Sequence, residues 1–319
     1  MTPKKIEPLE IRIKKRVRSN TFVTQIILFL DAIKLSWLEG LSLYGLLRLY
    51  GDGIATAGLS IRAGAIAFSF FMALFPFALF ILNLIPFIPI EGFQQDFLDF
   101  VAQSVPPNTY DAIAVIINDI LNNSHSGLLS SGFLLSIFIM ANGLNAILGA
   151  FENSPSDILK RGFFKQYLVA LAISLLLSFL LLFTVATIVV FEVFIQQSRI
   201  QDVVSNAIPL IQLGRFGFFI LMILITTSIL FRYGTMQAHK PAFITIGSVF
   251  TTILIIISSY FFGIWVVKFS KYNQLYGSIG TLLVMMFYIW INCMILLLGF
   301  ELNATINKHK IIVNNLKIK

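Results

Sequence analysis

Charge is scarce in this chain. Of 319 residues only 12% are charged, against 57% hydrophobic, and mean hydropathy is +0.88. A soluble domain is about a quarter charged, so there is too little polar surface here to cover a globule in water, and a bilayer is the solvent that fits. Cysteine is nearly missing: Cys293 stands alone, which excludes an intrachain disulfide. Histidine is limited to His125, His239 and His309. None has metal-ligand spacing, whereas a zinc site needs about four converging ligands. There is no Gly-rich phosphate loop, no nucleophile elbow and no HExxH. No catalytic, cofactor-binding or metal-ligating residue can be named, and the chain is not read as an enzyme. The alternation of a transmembrane strand is missing as well, which argues against a barrel.

What the chain has is long apolar runs. A spanning helix needs about 20 mostly apolar residues, and six stretches qualify: 61–85, 128–150, 166–195, 213–233, 241–267 and 279–300. Basic residues follow the same division. Residues 1–62 carry ten Lys and Arg, while residues 86–127 carry none against five acids. With spans alternating in direction, the segments on the side of the termini hold 19 of the 23 basic residues. The positive-inside rule then puts both ends in the cytoplasm, as an even number of spans requires. The net charge of +8 is thus a topology signal beside anionic lipid, and nucleic acid is not expected as a partner.

The expected fold is an all-α polytopic membrane protein. Residues 1–21 form a basic disordered cytoplasmic tail and 22–60 amphipathic interfacial helices, because Asp31, Lys34 and Glu39 interrupt that apolar run at a cost mid-bilayer. Residues 61–300 form the six-helix bundle, and 301–319 a basic cytoplasmic tail. Within the bundle, the 86–127 connection is expected to fold as two short helices capping the extracytoplasmic mouth. Phe93, Phe97, Phe100 and Val101 make one apolar face, and Tyr110, Ile113, Ile117, Ile120 and Leu121 another.

Polar groups inside the spans are the candidates for function. Asn142 and Asn145 lie three residues apart on one face of the second span and are expected to face the bundle interior, with Asn292 in the sixth span and Asn83 near the outer end of the first. Such amides either bond a neighbouring helix or line an interhelical polar path. Pro76 interrupts the first span, as a packing kink or a hinge. Glu301 follows directly on an apolar run, about 31 Å along the helix from Gly280 at 1.5 Å per residue. That is one hydrocarbon thickness, so Glu301 is expected at the inner interface. There a helix C-terminus would disfavour its charge unless a base pairs with it, Arg62 first and Arg232 second.

The closing stretch YNQLYGSIGTLLVMMFYIWINCMILLLGFELNATI resembles the signature of the YihY/BrkB family of bacterial inner-membrane proteins, once labelled ribonuclease BN. The matching residues are Tyr276, Gly277, Trp290, Leu297, Leu298, Gly299 and Glu301, with Phe300 where the family usually has alanine. GAIAFSFFMALFP resembles the first-span pattern, with Ala73 where serine is common, and Asn145 matches an asparagine of the second span. The resemblance covers roughly residues 40 to 306 and implies a multi-pass inner-membrane protein with no settled activity, linked to serum resistance. Its ribonuclease label resembles a misassignment. Two classes of function stay open: a transporter or lipid- and amphiphile-handling protein, or a scaffold binding envelope partners through the cap. Membrane lipids are expected as partners, and a homo-oligomer is left open.

Overall fold

The computed structural model describes residues 21–35, 41–56, 58–84, 95, 98–99, 126–154, 160–197, 208–234 and 242–317. The N-terminal basic tail and nearly all of the 86–127 connection, with its two expected helices, lie outside the described residues. The described elements are α1 (Thr21–Ala32), β1 (Lys34–Leu35), β2 (Leu41–Ser42), α2 (Leu43–Thr56), α3 (Leu59–Leu84), α4 (Ser126–Glu152), α5 (Phe163–Gln197), α6 (Ile208–Tyr233) and α7 (Ile246–Lys317).

Among the described residues the elements are helical apart from one two-residue antiparallel ladder, Lys34 opposite Ser42 and Leu35 opposite Leu41. The expectation of an all-α chain did not include it. The ladder turns the chain from α1 into α2. Ser42 caps α2: its Oγ accepts the Gly45 N–H at 3.0 Å and donates to Asp31 Oδ1 at 2.5 Å, which satisfies one of the donors that a helix start leaves free. The described part of the 22–60 segment is therefore two helices, α1 and α2, with the ladder between them, followed by the first residues of α3.

Among the described residues, four helical stretches are long and apolar enough to cross a membrane: Phe163–Ile188, Phe216–Tyr233, Ile246–Val266 and Leu282–Val313. A fifth arises if Leu43–Ala55 and Leu59–Ala73, bent by 64° at the break between them, count as one. They match the last four of the six expected spans. The first two expected spans are helical as α3 and α4. The break falls at Gly58, whose φ of 56° is a conformation that glycine adopts at no steric cost. By contrast, α3 is assigned without interruption through Pro76.

Though continuous in its helical hydrogen bonding over 72 residues, α7 is not one rod. Gly247 bonds Asn303, and Ser259 Oγ lies 2.7 Å from Tyr288 Oη; the ring of Trp265 lies 6.0 Å from that of Phe287. These pairs fold the stretch back on itself as two antiparallel arms. The arms meet through glycines. A Cβ on Gly299 would overlap Thr251 Oγ1, and one on Gly247 would overlap the Gly299 carbonyl. Successive helices from α3 to α7 pack on one another, and α7 returns to pack on α3 and α2, closing a ring. Its core holds Ala63, Ile66, Leu148, Phe151, Phe231, Leu297 and Phe300.

The second arm of α7 does not end near Glu301 but runs to Lys317. Beyond Glu301, Leu302 and Ile306 pack against Leu46 of α2, so the arm is supported where a free tail was expected. Glu301 is thus inside a helix, and the C-terminal dipole penalty expected for it does not arise.

Candidate functional site

Helix ends need partners for their free backbone groups, and at one end of this ring those partners are side chains from other helices. The start of α7 is a capping box: Thr245 Oγ1 accepts the Ser248 N–H at 3.1 Å and Ser248 Oγ accepts the Thr245 N–H at 2.9 Å. Asn303 of the second arm accepts the Gly247 N–H at 2.8 Å and donates to Thr245 Oγ1 at 2.7 Å. The end of α6 is capped by Arg161, whose guanidinium donates to the carbonyls of Gly234 at 2.7 Å and Tyr233 at 2.9 Å. The end of α4 is capped by Arg62, whose Nη2 donates to the Ala150 carbonyl. The starts of α3, α5 and α7 and the ends of α4 and α6 therefore meet at one end, hereafter the basic end.

Glu301 sits inside this arrangement with no solvent exposure. Arg62 Nη1 donates to its Oε1 at 3.0 Å, and Ser154 Oγ donates to its Oε2 at 2.8 Å. Both carboxylate oxygens are engaged, one from α3 and one from just beyond α4. Arg62 is itself 13% exposed. A buried charge of this kind costs several kcal/mol unless paired and hydrogen-bonded, and here both conditions are met. A second pair repeats the device: buried Glu152 lies 3.9 Å from Arg161. Each arginine thus joins a helix C-terminus to a buried carboxylate. Directly below, Phe300 stacks on Phe151 at 4.2 Å and meets Phe231 edge-on at 6.0 Å.

The residues singled out in the sequence divide. Arg62 and Glu301 are brought together. Arg232, the second candidate base, instead lies over the rings of Tyr233 and Phe243 at 5.8 and 6.0 Å. Asn142 and Asn145 do not share an inward face: Asn142 is exposed and Asn145 half-buried. Three residues are about 60° apart around a helix, enough to straddle the edge of the buried stripe. Asn292 donates to the carbonyl of Tyr288 in its own helix at 2.9 Å and, among the described residues, bridges no neighbouring helix. The side chains of Asn83, Pro76, Tyr276 and Gly277 lie outside the described residues. Trp290 Nε1 reaches the Ser60 carbonyl at 3.4 Å, a weak tie to the start of α3.

Sequence reasoning missed Glu152, Ser154 and Arg161. A signal existed: an acid closing an apolar run, followed nine residues later by an arginine that opens the next. Among the described residues no group of three or more His, Cys, Asp or Glu converges as a metal site would require.

The sequence profile of the virulence factor BrkB family matches residues 52–316. The chain belongs to that family. It is 29% identical over 254 residues to YfkH of Bacillus subtilis, a protein described as ribonuclease-like, covering 78% of this chain and 90% of that one. It is 22% identical over 249 residues to a UPF0761 membrane protein of Coxiella burnetii, covering 76% and 86%. No solved structure matches. The BrkB match takes in α3 to α7 and every residue of the Arg62–Glu301 network, and leaves out α1 and the ladder. The structure also gives physical reasons for two residues of the BrkB-like closing signature: Gly299 lets the arms of α7 touch, and Glu301 holds Arg62.

Proposed function

We propose that this BrkB-family protein is a six-pass protein of the bacterial inner membrane with both termini cytoplasmic, that it handles a lipid or another amphiphile, and that the Arg62–Glu301–Ser154 network closes its cytoplasmic end. The alternation of helix starts and ends at the basic end supports six antiparallel passes. So does length, since α3 and α4 have 26 and 27 residues and about 20 suffice to span. On this reading α1 and α2 lie along the cytoplasmic surface.

The observation that carries the functional reading is the full burial of Glu301 with both oxygens engaged across helices. Buried ion pairs add little stability over apolar packing of the same volume, and ionisable groups in membrane helices mark pathways and relays by default. A pair that can break and reform suits a closure. An amphiphile fits better than an ion, because the described interior is apolar apart from this end and scattered hydroxyls. Asn142, exposed on α4, offers a polar foothold along the outer surface.

The test is flux. Protein reconstituted into vesicles with a headgroup-labelled fluorescent lipid should let dithionite bleach lipid of both leaflets, and Glu301→Gln should change the rate. Bleaching confined to the outer leaflet, as in protein-free vesicles, would overturn the reading and favour a scaffold. The protein is further proposed to have no nuclease activity. Purified protein should leave structured RNA intact with magnesium, manganese or zinc, and cleavage lost on mutating His125, His239 or His309 would contradict this.

A further inference from the structure

Three arginines at the basic end do not share one role. Arg62 and Arg161 each hold a carboxylate and a helix C-terminus. Arg232 holds neither. It occupies the last turn of α6, where a cation ordinarily complements the helix dipole and its free carbonyls. Those carbonyls, Tyr233 and Gly234, are already taken by Arg161. Among the described residues Arg232 makes no hydrogen bond or ion pair, and its Nε is buried without a partner. Its charge is met by two ring faces, Tyr233 and Phe243, at 5.8 and 6.0 Å, the outer limit of a cation–π contact. A guanidinium carries five donors in a planar fork matched to phosphate oxygens. Leaving a buried donor unpaired is costly.

The surroundings specify what would pair with it. Tyr233 is 48% exposed and Phe243 38%, and Ile244 and Ile246 that follow are 53% and 43% exposed, so Arg232, itself half-buried, sits beside an exposed apolar surface. A small soluble anion would gain nothing from that surface, whereas an acyl chain would cover it. We infer that Arg232, flanked by Tyr233 and Phe243, is a binding site for the phosphodiester headgroup of an anionic lipid, with the lipid's chains lying along the exposed apolar residues at the start of α7. This stands apart from the transport reading, since a scaffold would retain such a lipid equally.

The experiment is native mass spectrometry of the detergent-solubilised full chain with phosphatidylglycerol or phosphatidylcholine added, comparing wild type, Arg232→Gln, Arg232→Lys and the exposed-arginine control Arg48→Gln. Wild type and Arg48→Gln should retain phosphatidylglycerol about tenfold more tightly than Arg232→Gln, the ratio one charge-assisted hydrogen bond supports. Arg232→Lys should fall between them, and phosphatidylcholine should bind all four alike. Lysine shows whether charge is needed even if the glutamine variant misfolds. Equal phosphatidylglycerol retention by wild type and both Arg232 variants would overturn the site. So would displacement of the lipid by soluble glycerol phosphate at equal concentration, which would make it a site for a free phosphate ester.

Discussion

Replacing Glu301 by glutamine keeps the shape of the side chain and one carbonyl oxygen but removes its charge. Arg62 is then left in a site where it is 13% exposed, still donating to Ala150 O, without a counter-charge. Breaking a buried pair from one side costs about 3–5 kcal/mol, and the retained acceptor brings this to about 2–3 kcal/mol. Arg62→Gln leaves a wholly buried carboxylate held by Ser154, for which about 3–4 kcal/mol is expected, limited because the carboxyl can take up a proton. The double variant buries no charge at this point, so its loss should stay at about 3 kcal/mol instead of the sum, a coupling of about 3 kcal/mol. At about 2 °C per kcal/mol for a chain of this size, the midpoints should fall by roughly 5, 7 and 6 °C. Unfolding of the detergent-solubilised protein is read with a thiol-reactive dye that reports exposure of buried Cys293. Additive losses would refute the pairing, and unchanged midpoints in both single variants would refute the burial on which the estimate rests.

Gly299→Ala should cost about 1–3 kcal/mol, as overpacking does, because its Cβ would overlap Thr251 Oγ1; Thr251→Ala should recover part of the loss in the same thermal assay, and full tolerance of Gly299→Ala would contradict the close crossing. Single cysteines at Gln95 and Asn122 in a Cys293→Ser background should react with an impermeant maleimide in intact spheroplasts, and labelling only after lysis would overturn the orientation.

Architecture was legible in the sequence because a bilayer imposes simple rules. The apolar runs locate the helices, and the contrast between the lysine-free acidic connection and the basic segments is what the proposed direction of each pass rests on. Glu301 was legible for the same reason: a carboxylate ending an apolar run needs a partner, and Arg62, opening the first run, was the base at matching depth. Its second partner was not legible, since Ser154 differs from any loop serine only in what the fold brings beside it. Nor was the length of α7, because its extension beyond Glu301 rests on contacts with Leu46 and Tyr50 of α2, which no local pattern announces. The reading of Asn142 and Asn145 as a shared inward face went astray because spacing fixes the angle between two side chains but not where the buried stripe ends.

The central claim is that the network around Glu301 closes the basic end, and the lone thiol reports on it. Cys293 is 7% exposed in the core and eight residues from Glu301, about 12 Å along the helix. In sealed inverted membrane vesicles, which expose the cytoplasmic face on the orientation proposed, an impermeant maleimide should label wild-type Cys293 slowly and the Glu301→Gln variant several-fold faster, with no such gain in right-side-out vesicles. Equal rates for the two proteins in inverted vesicles, with the variant still folded, would contradict it.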